Sequence, residues 1–216
     1  MKIAVVTDSG TGWTQAQAEA LGIHYLPLQV KCGDDEFLDG IDITVSQLYA
    51  RLKQGARPTT SMPPVGRVES LFETLKQEQV EHVIAVPLSA GISSTSEMIQ
   101  AAARRAELPL TVIDPYTTVN TQGYLALSAL KLAERGVEPA EIERRLKECV
   151  DHSNTLLVPD DLQRVAACLR SSRCCSFTNR RREEWMCWIR SVRCVVPSVV
   201  WPMWQKVMAL ILKLMK

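Results

Sequence analysis

An α/β fold, with a mainly parallel sheet and helices on both faces, is predicted for this 216-residue chain by two observations. Short apolar runs alternate with longer stretches of helical periodicity as far as about residue 165, and turn or cap residues mark the junctions between them. Parallel neighbours need long crossover connections, and helices in those connections cover the sheet, so this alternation implies the architecture.

The first strand is expected over Lys2–Val6, followed by an amphipathic helix from Thr14 to Leu21 that Gly22 ends as a C-terminal cap. A strand over Tyr25–Val30 comes next. The helix Val45–Gln54 carries a reciprocal capping pattern in Thr44 and Gln47 and is closed by Gly55. Beyond Pro63 and Pro64 the pattern predicts a helix over Val65–Lys76, a strand over His82–Pro87, a helix over Ser94–Arg105 and a strand over Leu110–Ile113. Helices over Thr121–Arg135 and Pro139–Val150 lead to an apolar segment, Thr155–Val158, with Asp160 placed to cap a last helix.

Composition narrows the function. Hydrophobic residues make up 46% of the chain, enough for a sizeable core, and 25 basic against 24 acidic side chains leave a net charge of +1. No basic run interleaves with aromatics, so nucleic acid is excluded as an expected partner. The start, MKIAVVTDSG, reads as a strand and turn rather than a signal peptide, which predicts a cytoplasmic location. Seven cysteines include no CxxC pair, and no metal site is expected.

In open α/β sheets ligands bind outside the carboxyl ends of the strands, which directs attention to the loops. Three stand out. Thr7-Asp8-Ser9-Gly10-Thr11-Gly12 follows the first strand, and its Asp8 and Ser9 are suited to bond nearby backbone amides. In Arg57-Pro58-Thr59-Thr60-Ser61-Met62-Pro63-Pro64, prolines flank three hydroxyls and disfavour a helix or central strand. Leu88-Ser89-Ala90-Gly91-Ile92-Ser93-Ser94-Thr95 joins a strand to a helix and offers hydroxyls beside the unpaired amides of a helix N-terminus, a place for an anion. Taken singly, each of these hydroxyl residues reads as a helix cap.

Taken together, TDSGT at the start, FLDGIDIT at 37–44, PTTSMPP at 58–64, LSAGISST at 88–95 and VIDPYTTVNTQGY at 112–124 resemble the DegV family in order and spacing. The resemblance covers residues 1 to about 165. It implies an α/β first domain and a fatty acid enclosed between two domains, with the carboxyl group held by hydroxyls at the matching positions Thr60 and Ser93. Asp8, Ser9, Ser61, Gly91 and Ser94 belong to the supporting loops. It further implies a carrier rather than an enzyme, with the bound long-chain fatty acid as ligand and no cofactor. The partner would be the ATP-binding subunit of a fatty acid kinase, which converts the carboxyl to an acyl phosphate for phospholipid metabolism. The chain's own lack of a phosphate loop or GxGxxG agrees with ATP chemistry lying elsewhere.

From about residue 166 to 216 the resemblance stops. Cys168, Cys174, Cys175, Cys187 and Cys194 crowd this tail with Trp185, Trp188, Trp201 and Trp204, and no regular periodicity appears before about Val199. A frameshift accounts for the change: with permitted codons, the DNA of Arg181–Cys194 reads in another frame as TGRMDVLDTERKV, which resembles the family's second domain. Sequencing the gene checks this, and the explanation is lost if no frame downstream of residue 165 continues the family pattern. The arginine and histidine that family members contribute from that domain have no matching positions here, so weak or absent lipid binding is expected of this chain. The stretch Trp201–Lys216 can form an amphipathic helix but is too short to span a bilayer, and stable membrane insertion is not expected.

Two other readings use the same loop. Ser93 at a strand-to-helix turn admits a serine hydrolase, although Gly91-Ile92-Ser93-Ser94-Thr95 lacks the second glycine of a nucleophile elbow and the histidines are His24, His82 and His152 alone. The helix N-terminus beside it admits a phosphate or nucleotide binder.

Overall fold

The computed structural model describes residues 1–153. The apolar segment Thr155–Val158, the Asp160 cap, the domain boundary near residue 165 and all readings of the tail lie outside the described residues.

Four parallel strands form the main sheet in the order β2-β1-β6-β7: β1 (Ile3–Asp8), β2 (His24–Leu26), β6 (His82–Val86) and β7 (Leu110–Val112). The central strands β1 and β6 are apolar on both faces, as strands covered on both sides must be. Their side chains alternate between two cores. Ala4, Val6, Val83 and Ala85 pack with Val68, Phe72 and Leu75 of α3 (Val65–Gln77) and Ile99, Ala102 and Ala103 of α4 (Thr95–Ala106). Val5, Ile84 and Val86 pack on the opposite face with Leu125, Ala129 and Leu132 of α5 (Asn120–Glu134) and Ile142 and Leu146 of α6 (Pro139–Asp151).

Local signals account for most element ends. Helix α1 (Gln15–Ala20) starts in a full capping box between Thr14 and Gln17, and α2 (Val45–Lys53) repeats it with Thr44 and Gln47. Gly22, at φ 77°, supplies the left-handed residue after α1. Helix α6 begins with Pro139, whose missing N–H is one of the donors a helix start leaves free.

One region departs from expectation. The strand foreseen over Tyr25–Val30 is two strands in two sheets, divided at Pro27. After β2 the chain turns into β3 (Gln29–Cys32), which pairs antiparallel with β4 (Asp35–Leu38) through the two-residue turn Gly33-Asp34, Gly33 having φ 66°. The hydroxyl segment also becomes a strand. β5 (Thr59–Ser61) pairs with the other side of β3, Val30 opposite Thr60, at an edge where the flanking prolines cost no ladder bonds. This small antiparallel sheet, β4-β3-β5, adds to the mainly parallel architecture without altering it.

Candidate functional site

Strand order locates a crevice. From β1 the chain passes through α1 to β2 on one side, whereas from β6 it passes through α4 to β7 on the other, so the connections diverge between β1 and β6. Such a switch point opens a crevice at the carboxyl ends of the two strands, where the loops 8–12 and 88–94 begin.

Asp8 stands at that switch point, at the end of β1. It is fully buried, and its Oδ1 accepts from Gly10 N–H at 2.9 Å and from the Gln122 side-chain amide at 2.9 Å. Its Oδ2 accepts from Leu88 N–H across the crevice at 2.6 Å. Burial pushes the Asp8 carboxyl above the usual carboxylate range, while the bonds from Leu88, Gln122 and Gly10 act in the opposite direction. The expected local turn is therefore present, and a long-range bond is added to it.

Ser9 is also buried. Its hydroxyl accepts from Leu28 N–H at 3.1 Å, which holds the chain where it leaves the main sheet, and its proximity helps to offset the rise at the Asp39 carboxyl. Burial raises Asp39, and burial likewise raises the neighbouring Tyr25 phenol, reinforced by the Asp39 charge. Tyr25 Oη lies 2.8 Å from the Trp13 carbonyl and 3.0 Å from that of Asp39, a shared donor that ties the first loop to the FLDG segment.

In the 88–94 loop, Ile92 and Ser93 N–H both donate to the Ser89 carbonyl, and Gly91 N–H donates to Ser89 Oγ at 3.3 Å. Ser93 Oγ accepts from Thr95 N–H at 3.2 Å and pairs with Thr95 Oγ1 at 2.8 Å. Ser94 occupies the N-cap position of α4 yet makes no side-chain cap bond. The capping bond at this helix start is thus made by Ser93, one of the hydroxyl residues read as a cap. The loop that follows β7 joins here: Ala90 N–H donates to Asp114 Oδ2 at 3.2 Å, and the Gly10 carbonyl accepts from Val119 N–H and Thr118 Oγ1, each at 2.7 Å.

Thr60 and Ser61 stand on the exposed edge strand. Ser61 Oγ donates to Gln29 Oε1 at 2.9 Å, while the Thr60 hydroxyl has no hydrogen-bond partner among the described residues. Apolar side chains remain uncovered in the same loops, with Met62, Ile92, Tyr116 and Val119 38–42% exposed. Tyr116 and Val119 have positive φ, 48° and 58°, a conformation rare for a β-branched residue.

Sequence reading missed Gln122. It is completely buried on the stripe that Leu125, Ala126, Ala129 and Leu132 form along α5, and its Oε1 has no donor among the described residues. An orphaned buried carbonyl costs about 1–3 kcal/mol. A polar residue on an apolar helical stripe was the available signal.

The histidines do not serve Ser93. His24 and His82 open β2 and β6, at the end of the parallel sheet opposite the loops; His82 Nε2 bonds Thr111 Oγ1 at 2.9 Å, and His152 Nδ1 bonds the Glu148 carbonyl at 2.8 Å. Burial lowers both His24 and His82 from the ordinary histidine value. A hydrolase reading thus has no base in contact with its nucleophile among the described residues.

These features define a doubly wound α/β domain with loops rich in hydroxyls and amides at the switch point of its sheet. The chain belongs to the DegV family, whose model, described as an uncharacterised DegV-family protein, matches residues 2–168. A DegV domain-containing protein of Halalkalibacterium halodurans is 32% identical over 166 residues, 76% of this chain and 59% of that protein. Protein DegV of Bacillus subtilis is 32% identical over 165 residues, 75% of this chain and 58% of that one. Among solved structures, the Bacillus subtilis protein described as DegV, a fatty acid binding protein, superposes with a TM-score of 0.65 at 33% identity, covering 69% of this chain and 54% of the other. A Thermus thermophilus DegV-family structure, titled for its fatty acid binding, gives 0.63 at 26% identity, with 69% and 54% covered. The chain spans less than two thirds of the length of these relatives. No helix among the described residues is long and apolar enough to cross a membrane.

Proposed function

We propose that this domain binds a long-chain fatty acid at the switch-point crevice, with the carboxyl group held by Thr60 and Ser93, and offers it to the ATP-binding subunit of a separate fatty acid kinase. The observation that carries the reading is the pairing of chemistries in the segments that bear Thr60, on the edge strand β5, and Ser93, in the loop after β6. Hydroxyls at Thr60 and Ser93 share their loops with the uncovered side chains of Met62 and Ile92, with Tyr116 and Val119 in the loop beyond, so one end suits a carboxylate and its surroundings an alkyl chain. The fatty acid bound by relatives in solved structures supports the same ligand class.

Magnitudes agree with a carrier role. Burial of a long acyl chain contributes about 0.8 kcal/mol per methylene, on the order of 10 kcal/mol before association costs. The headgroup donors add little affinity; they prevent a buried, unpaired carboxylate, which would cost several kcal/mol, and they orient the chain. Catalysis is assigned to the partner, and no cofactor is invoked.

Mass spectrometry of the organic extract from purified full-length chain, beside a Thr60→Ala, Ser93→Ala double variant, tests the reading. Fatty acid in the parent extract, below stoichiometric amounts because no arginine or histidine matches those of the family's second domain, and its loss in the variant are the expected results. An extract free of fatty acid from the parent would overturn the reading for this chain.

A further inference from the structure

The main-chain ladder between the central strands ends at Thr7 and Val86, because Pro87 has no N–H to continue it. The next donor, Leu88 N–H, is taken by the carboxylate of Asp8 at 2.6 Å. The loop that bears Ser93 thus hangs from a side chain of the opposite strand rather than from the sheet.

Gln122 holds that side chain in place. Its amide nitrogen reaches Asp8 Oδ1 at 2.9 Å, the Val86 carbonyl at 3.1 Å and Thr7 Oγ1 at 3.3 Å, so one group spans both central strands where they separate. The space around it is filled, since a Cβ on Gly10 would come within 2.7 Å of Gln122 Oε1, 2.8 Å of Asp8 Oδ1 and 2.9 Å of Leu88 Cδ1. The same amide leaves its oxygen without a donor. An apolar residue on this stripe of α5 would avoid that cost, which marks the amide as retained for what its nitrogen holds.

We propose that Gln122 is a positioning residue that acts through Asp8, fixing the 88–93 loop against the 8–12 loop so that Ser93 meets a carboxylate in a set geometry. The proposal rests on the fatty-acid reading for the identity of the ligand but not for the positioning itself.

Gln122→Met keeps the side-chain length and removes the amide. In the full chain, amide hydrogen exchange at Leu88 should quicken about tenfold, the loss of roughly one charge-assisted hydrogen bond, while Val83 in the core of β6 keeps its protection. Affinity for palmitic acid should fall about tenfold by the same reasoning, while that for 1-hexadecanol, which has the same chain but no carboxylate, should not change. Unchanged exchange at Leu88, or equal losses for acid and alcohol, would overturn the proposal. Leu88 exchange is read without ligand, so it decides the positioning even if the parent binds no palmitic acid, a result that would count against the fatty-acid reading instead. Should Gln122→Met fail to fold, Asp8→Asn sets an N–H against Leu88 N–H while its oxygen still accepts from Gly10 and Gln122, and the same selective loss at Leu88 is expected.

Discussion

Gly40→Ala should lower the thermal midpoint of the full chain by roughly 10 °C. Gly40 has φ 72°, where a Cβ costs about 1–2 kcal/mol in the left-handed region. A Cβ there also runs into Tyr25 Oη and comes within 2.9 Å of the Trp13 carbonyl. Neither neighbour can give way easily: the phenol is held between two carbonyls, and the Gly40 carbonyl itself accepts from Gln15 N–H at 3.2 Å at the start of α1. Steric overpacking of this kind adds about 1–3 kcal/mol. Each kcal/mol moves the midpoint of a protein this size by about 2–4 °C. Gly22→Ala separates the two contributions, since Gly22 has φ 77° but nothing within 4 Å of its Cβ position. It should cost only about 1–2 kcal/mol. Equal midpoint losses in the two variants, followed by circular dichroism, would show that backbone conformation alone matters at Gly40.

Phe72→Ala should cost about 3–5 kcal/mol, a large part of the 5–15 kcal/mol typical of a folded protein. Phe72 is 1% exposed in the core between α3, α4 and the sheet, a cluster it shares with Val68, Leu75, Ile99 and Val83. Close packing prevents these neighbours from collapsing fully into the space, so the lost transfer energy and the cavity both count. Val65→Ala on the same helix, at a position 54% exposed, should fall within about 0.5 kcal/mol of the parent. Urea titration reads both as shifts of midpoint at constant slope, and a Phe72→Ala cost near that of Val65→Ala would mean that this core is not the one that holds the domain together.

How much of the site could be read from sequence differs by residue. Asp8 and Ser9 advertised themselves as turn formers, and Asp8 does bond Gly10 two residues on. Their longer partners, Leu88 and Leu28, lie 80 and 19 residues away and have no signature beside them. Thr60 and Ser93 fell in loops singled out for their hydroxyls, although the first of those loops is an edge strand. Ser94, read as the first residue of the helix, stands instead in the cap position before it, and the bond to the helix start is made by Ser93.

What the sequence determined by itself was the set of elements whose cause is local. The capping boxes at Thr14 and Thr44, the left-handed glycine after α1, and the apolar stripes of α3 to α6 depend on residues within a turn or two, so periodicity and cap chemistry found them with ends displaced by a residue or so. Only the tertiary structure decided that Gln29–Cys32 leaves the main sheet, that Thr59–Ser61 becomes its partner, and that Gln122 turns inward to Asp8. A strand of three or four residues has little preference of its own and is stabilised by a neighbour that, for Val30 and Thr60, lies thirty positions away. A buried polar group, likewise, is defined by the donors and acceptors the fold brings around it, and those come from β1, β6 and α5 together.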